Sequence, residues 1–380
     1  MNGNIKKILV AALILIGVFA NWVTFAEALD VKLLWKKEFK HGINALDLAT
    51  ETGDVLISLN KKEIILFDKS GNERFHWGPR IDRACGVVSI SKDGKYFVFT
   101  SGYTERFAEV KKLPWWSDDR IHFIEDKTKK EIWNFKSPES IPSIFPDGTS
   151  TIIYDNRGFD IFNIQGRKTF EYHQGTWGLS SFCISPDSNY FAVVQDSRQP
   201  IMLFQKNGVK LWEQGRYNRV SSISDGASYL STFPYYLGPS DPPDPEKLHE
   251  GIIYDKNGNI VLKGFGFLSG DGRKIAVYSP EKITVVSLPS EIILKEIPIQ
   301  IRLPKISNPI FVIFSHDGRY LVLKNAETIF VLDLEEDKRW DTAISGLGDL
   351  PKILITRNGK YLLVLPEVGN KSLYFYQLYN

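Results

Sequence analysis

The 380-residue sequence predicts an all-β chain folded as an eight-bladed β-propeller of four-stranded antiparallel blades. Three observations carry that expectation. A short turn motif returns eight times, a tight hairpin follows most copies of it, and the two ends of the repeated region read as complementary parts of one blade.

The turn motif comes first. "ISKDGKYFVFTS" (90–101) is echoed by "IFPDGTSTIIYD" (144–155), "ISPDSNYFAVVQ" (184–195) and "ISDGASYLSTFP" (223–234). "LSGDGRKIAVYS" (268–279), "FSHDGRYLVLKN" (314–325) and "ITRNGKYLLVLP" (355–366) follow, and "LATETGDVLISLN" (48–60) is a degenerate first copy. The turn residues are Gly53, Gly94, Gly148, Ser188, Gly226, Gly272, Gly318 and Gly359, spaced 41, 54, 40, 38, 46, 46 and 41 apart. A period of about 44 residues is the size of one propeller blade. Strand a runs into the turn and strand b leaves it. The turn aspartates, such as Asp93, Asp147 and Asp187, are expected to cap turn amides.

The hairpin supplies strands c and d. "LFDKSGNERFHW" (66–77), "IFNIQGRKTFEY" (161–172), "LFQKNGVKLWEQ" (203–214) and "IIYDKNGNIVLK" (252–263) place Gly71, Gly166, Gly208 and Gly258 where the loop needs a left-handed backbone. "FIEDKTKKEIWNF", "VVSLPSEIILKE" and "VLDLEEDKRWDT" fill the same place in other repeats. The "DKNGN" run at 255–259 is read as such a hairpin, because it lacks the further ligands and final glutamate of a calcium loop.

The ends complete the count. "SLYFYQLYN" is a strand c with no strand d after it, and "VKLLWKKEF" (31–39) is a strand d with no blade before it. Trp35 falls where Trp133 and Trp212 fall. Residues 31–39 are therefore expected to form the outer strand of the eighth blade, removing an open seam.

Ahead of this lies an apolar run, Ile8 to Ala20, preceded by Lys6 and Lys7 and followed by Ala26-Glu27-Ala28. Residues 1–28 read as a signal peptide, the alternative being an uncleaved membrane anchor; residues 29–380 are the propeller. The protein is then secreted or periplasmic, or anchored and facing outside the cytoplasm. Without the leader the formal charge falls from +2 to +1, which argues against nucleic-acid binding. Cys85 and Cys183, which an exported protein could pair, are read as two small buried thiols in non-adjacent repeats.

The run I/F-S-x-D-G-K/R-Y before an aliphatic strand resembles the repeats of bacterial and archaeal WD40-like propellers. "DKSGNERFHW" and "QKNGVKLW" resemble quinoprotein-like (PQQ-type) repeats. The likeness spans about residues 31–380 and implies the fold more than an activity. Strand c ends in "FD", "ED", "YD" or "LD" in place of Trp-Asp, and the adjacent cysteines of true quinoprotein dehydrogenases are missing. No cofactor is expected.

Propeller geometry puts the d–a and b–c loops on one face. Two b–c loops are long: "GYTERFAEVKKLPWWSDDR" (102–120), with Trp115 and Trp116, and "PYYLGPSDPPDPEKLHEG" (234–251), with Tyr235 and Tyr236. Loops of this length usually carry function. The d–a loops add Arg80, Asp82, Arg83, Trp177, Arg216, Tyr217 and Arg219. Aromatic pairs and arginines suit a protein or glycan partner in the cell envelope. Against this stands the plainer reading that these residues cap their own blades. No catalytic or metal motif is present; the histidines are scattered, and His316, in an a–b turn, is expected to be solvated. The sequence reading is thus an exported binding or scaffold module more than an enzyme, with an envelope hydrolase or lyase acting at the channel mouth as the alternative.

Overall fold

A computed structural model describes residues 27–60, 63–78, 83–103, 119–137, 140–155, 157–173, 181–194, 200–214, 218–234, 251–279, 281–298, 312–325, 327–348 and 351–379. They form eight antiparallel sheets in chain order. Blades 1 to 7 span residues 43–77, 83–136, 141–173, 181–214, 218–263, 265–298 and 312–343. Blade 8 takes strands a to c from 352–378 and its outer strand from Val31–Glu38, which pairs antiparallel with Ser372–Leu378. The ring is closed as the sequence predicts. Trp35 Nε1 donates to Lys69 O in blade 1 at 3.1 Å, as Trp212 Nε1 donates to Lys256 O in blade 5 at 2.9 Å. Blade 7 gains a fifth strand, Glu27–Ala28, parallel to its outer strand Lys338–Ala343.

Each blade is apolar on both faces of its middle strands, because every face meets a neighbour. Strand b of blade 1 (Val55–Leu59) is buried at all five positions, while the outer strand of blade 2 (Lys130–Lys136) alternates toward solvent. The cores therefore lie between blades: Phe97, Phe99 and Cys85 of blade 2 pack with Leu56, Ile64 and Leu66 of blade 1. Burying one such side chain contributes about 1.5–3 kcal/mol.

The turn chemistry repeats as closely as the sequence. All eight turn residues have φ between 64° and 80°, Ser188 included. The serine opening the turn donates to the aspartate two residues on, at 2.8 Å for Ser91–Asp93 and 2.6 Å for Ser315–Asp317. That aspartate accepts the next amide, as Lys95 N donates to Asp93 at 3.1 Å. Glycine matters most at Gly359, where a Cβ would lie 2.2 Å from the Tyr320 ring. The hairpin glycines Gly71, Gly166, Gly208 and Gly258 also hold positive φ. Asp255 accepts the Asn257 and Asn259 amides, both at 2.8 Å, so 255–259 is a hairpin. Both cysteines are free thiols; Cys85 is buried as expected, while Cys183 is only half-buried.

Candidate functional site

Most residues that the sequence offers for binding, namely Trp115, Trp116, Trp177, Tyr235, Tyr236, Arg80, Arg216 and Tyr217, lie outside the described residues, as does Asp82. The backbone of Arg83 pairs with Tyr103 at the start of blade 2. Arg219 is half-buried in strand a of blade 5 (Asn218–Ile223), opposite Phe233. What the structure does bring together lies along the central channel and at its a–b end.

That end is tied into a continuous circle. Asp225 N donates to Gly270 O (2.7 Å), Asp271 N to His316 O (2.8 Å), His316 N to Arg357 O (3.2 Å) and Arg357 N to Thr50 O (2.7 Å). Glu51 N donates to Lys92 O (2.8 Å) and Lys92 N to Pro146 O (2.7 Å). These bonds join blades 5, 6, 7, 8, 1, 2 and 3. Blades 3 and 4 carry Pro146 and Pro186 at the equivalent position, and neither has an amide to give to the next blade. Side chains complete the circle there: Asp147 N donates to Ser188 Oγ and Gly226 N to Asp187 Oδ2, both at 2.8 Å. Ser188 stands where blades 2, 3, 6, 7 and 8 have glycine and blade 5 has Ala227, one residue after Gly226, and its hydroxyl is what the circle uses. Burial pushes the Asp187 carboxyl up, but hydrogen bonds from Ser185, Asn189 and the Gly226 amide outweigh that and hold it below the usual range.

Over this circle His316 reaches across blade 6. Its Nε2 lies 2.6 Å from Asp225 Oδ2, and Arg357 donates to the same oxygen at 3.2 Å. The path exists because blade 6 has Gly270 at this position; a Cβ there would sit 2.4 Å from the imidazole. The solvated His316 expected from sequence is corrected: its side chain is 15% exposed and tied to blade 5. Residues 91 and 132 positions apart meet here, so no local signal could have paired them.

Inside the channel, the next-to-last residue of strand a faces the following blade. Asp47 Oδ2 accepts Ile90 N at 3.0 Å, Ser89 Oγ accepts Ile144 N at 3.2 Å and Ser222 Oγ accepts Leu268 N at 3.1 Å. Cys183 faces the Ile223 amide in the same register; burial pushes its thiol up to about 11 against that amide. Burial likewise raises the Asp47 carboxyl above its ordinary range, opposed by the Lys352 ammonium and by the Ile90 and Leu48 amides. In blades 6, 7 and 8 the position holds Phe267, Ile313 and Leu354, which pack into the next interface instead.

A cavity of about 370 Å³ opens on the small-residue side, lined by Asp47, Ser89, Ser143 and Cys183, with Thr50 and Lys92 at its a–b end. A concave space with a few converging polar groups and a displaced carboxyl is a ligand-sized site.

A further constellation, unmarked by any linear motif, sits within blade 2. Ser101 Oγ lies 2.8 Å from His122 Nε2, and His122 Nδ1 lies 2.6 Å from Glu131 Oε2. The atoms match a hydroxyl–imidazole–carboxylate relay. The order of burial is reversed, however: Ser101 is 2% exposed while the Glu131 side chain is 37% exposed. A nucleophile must be the reachable member, so this relay fastens strands b, c and d. In blade 3 Asp160, Glu171 and His173 converge, but the Lys168 ammonium is 3.0 Å from Asp160 and 3.1 Å from Glu171, where a metal would be.

No family model matches the chain, and no curated protein does. Among solved structures it is similar to the C-terminal WD40 domain of Sif2, with a TM-score of 0.63, 12% identity, and 93% of this chain and 99% of that one covered. At that identity the likeness shows the fold alone: a β-propeller.

Proposed function

We propose that the chain is an exported binding or scaffold propeller that recognises a protein or glycan partner of the cell envelope through its d–a and b–c loop face. One observation supports this most: variation in loop length is confined to that face. Strands a and b are joined by five or six residues in every blade. The b–c connections run from 326–327 in blade 7 to 104–119 in blade 2 and 235–251 in blade 5, and the d–a connections from Gly264 alone to 299–311. A fixed floor under a variable roof is how rigid scaffolds present binding loops. Trp115, Trp116, Trp177, Tyr235 and Tyr236 would supply contact area, and Arg80, Arg83, Arg216 and Arg219 would meet carboxylates or sulfates, with Tyr217 beside them. Residues 1–28 would direct export, by cleavage or as a retained anchor; among the described residues no helix is long and apolar enough to cross a membrane. The bacterial or archaeal and PQQ-type character of the repeats belongs to the same reading.

The test is capture from the native envelope by wild type and by Trp115→Ala/Trp116→Ala, with captured proteins and glycans identified by mass spectrometry. Capture should be lost while the melting temperature stays within about 2 °C, as for exposed positions. A large drop in melting temperature would show that the pair is core.

A second reading, an envelope hydrolase or lyase, has the channel cavity and the raised Asp47 carboxyl in its favour. An activity on envelope material abolished by Asp47→Asn, with capture retained, would favour it.

A further inference from the structure

The outer strands of the eight blades differ in one respect. Seven carry a β-bulge against strand c: blades 1 to 6, and the Val31–Glu38 strand of blade 8 at Leu33/Trp35. A bulge twists an edge out of register and protects it from pairing with another chain. Blade 7 alone has none. Its outer strand pairs residue for residue, from Asp333↔Lys338 to Thr328↔Ala343. It is also the outer edge on which the chain lays a further strand, Glu27–Ala28, fastened by Leu29 N donating to Arg339 O at 3.0 Å.

That bond fixes the orientation of the edge. The Arg339 carbonyl points outward, so by strand alternation the main-chain groups of Asp341 and Ala343 also point outward, while those of Trp340 and Thr342 face strand c. The chain's own segment covers only Lys338 and Arg339. We propose that the outer edge of blade 7 is a strand-pairing site for a second copy of this chain, held closed by residues 27–29.

The sequence of the edge is self-complementary. In an antiparallel pair centred on Trp340, Arg339 of each copy lies opposite Asp341 of the other, and the two Trp340 residues face each other. Arg339 and Asp341 fall at the outward-pointing positions, so each pair exchanges two main-chain hydrogen bonds. Opposite charges and paired aromatics directly across a ladder are the favourable combinations. Arg339 Nε already lies 3.3 Å from Asp341 within one strand, so two copies build an alternating four-charge row. The arrangement is isologous and closes as a dimer. Residues 27 and 28 belong to the leader read from the sequence, so removing the leader would open the edge.

The experiment measures mass by light scattering over a hundredfold concentration range, with the full chain in mild detergent. Full-length protein should stay monomeric. Ala28→Pro/Leu29→Pro, which removes the Leu29 donor to Arg339 O and breaks the extended pairing of the covering segment, should dimerise with rising concentration. On that background Asp341→Pro removes an outward amide without touching the bonds to strand c, and should restore the monomer at an unchanged melting temperature. Arg339→Asp should do the same, and Arg339→Asp/Asp341→Arg should recover the dimer. A folded Ala28→Pro/Leu29→Pro protein that stays monomeric throughout would overturn the proposal, as would a dimer indifferent to Asp341→Pro. If the double variant loses its β-sheet circular dichroism, Leu29→Pro alone, which removes the donor to Arg339 O, is read by the same criteria. Capture through the loop face is independent of every one of these outcomes.

Discussion

At one position of strand a, two halves of the ring take different materials. Blades 1, 2, 4 and 5 place Asp47, Ser89, Cys183 and Ser222 there and join the next blade through a polar atom facing an amide. Blades 6, 7 and 8 place Phe267, Ile313 and Leu354 there and join it by packing. The backbone accommodates both. The consequence is in the void: small polar side chains satisfy an amide but leave the channel unfilled beside blades 1–4, where the cavity lies, whereas large aliphatic and aromatic ones fill their own space. An inter-blade joint made by hydrogen bonding can therefore coexist with a ligand-sized cavity, and one made by packing cannot.

The largest expected effect comes from opening the ring on its packed side. Deleting 29–38 removes the outer strand of blade 8, with Leu29 and the stacked Trp35–Phe375 pair, whose centroids are 4.9 Å apart. The melting temperature should fall by more than about 10 °C, given a few degrees per kcal/mol for a chain of this size. A wild-type melting curve would show that closure contributes nothing.

Phe267→Ser comes next, converting a packed joint into a polar one. It should cost about 2–4 kcal/mol, because the void left by the ring outweighs the roughly 1 kcal/mol that one hydrogen bond to the next blade would return. Denaturant midpoints measure this, and a cost below about 1 kcal/mol would mean that the two kinds of joint are interchangeable.

The smallest effect depends on pH and separates two aspartates. Asp47 is raised in the fold, so the stability it contributes is complete below about pH 4, the unfolded value, and is lost as pH rises through its folded pKa. Asp187 is lowered, so its contribution is present above about pH 4 and is lost as pH falls through its folded pKa. Asp47→Asn should therefore gain relative to wild type as pH is raised from 4 to 8. Asp187→Asn should lose most at neutral pH and approach wild type in acid. Melting temperatures of the three proteins across that range decide it; parallel curves would remove the electrostatic distinction.

The number of blades, the positive-φ turn residues and the closing strand were legible because each is a local demand. A left-handed turn needs Gly94 or its equivalents whatever surrounds it, and an unpaired strand at each end implies one shared blade. Ser188 was legible as a turn residue but not as an acceptor in the circle, because that role depends on Pro146 of the preceding blade having no amide and on the Asp147 amide beside it. The site was less legible. His316 read as solvated because nothing near it in sequence reveals Asp225, or that Gly270 leaves a path to it. Ser101, His122 and Glu131 stand on three successive strands, and only antiparallel pairing brings their side chains into line. The unbulged edge of blade 7 is likewise invisible along the chain, since a bulge is a relation between two strands.

Sequence by itself determined the repeating unit, its number and where the ring is sewn shut, for these follow from residue-level conformational preferences and from alternation along single strands. Tertiary structure alone decided which side chains meet across blades, where the channel stays open and which outer edge can accept another strand. Each of these depends on register and volume shared between segments tens to hundreds of residues apart, and a periodic pattern carries no record of either.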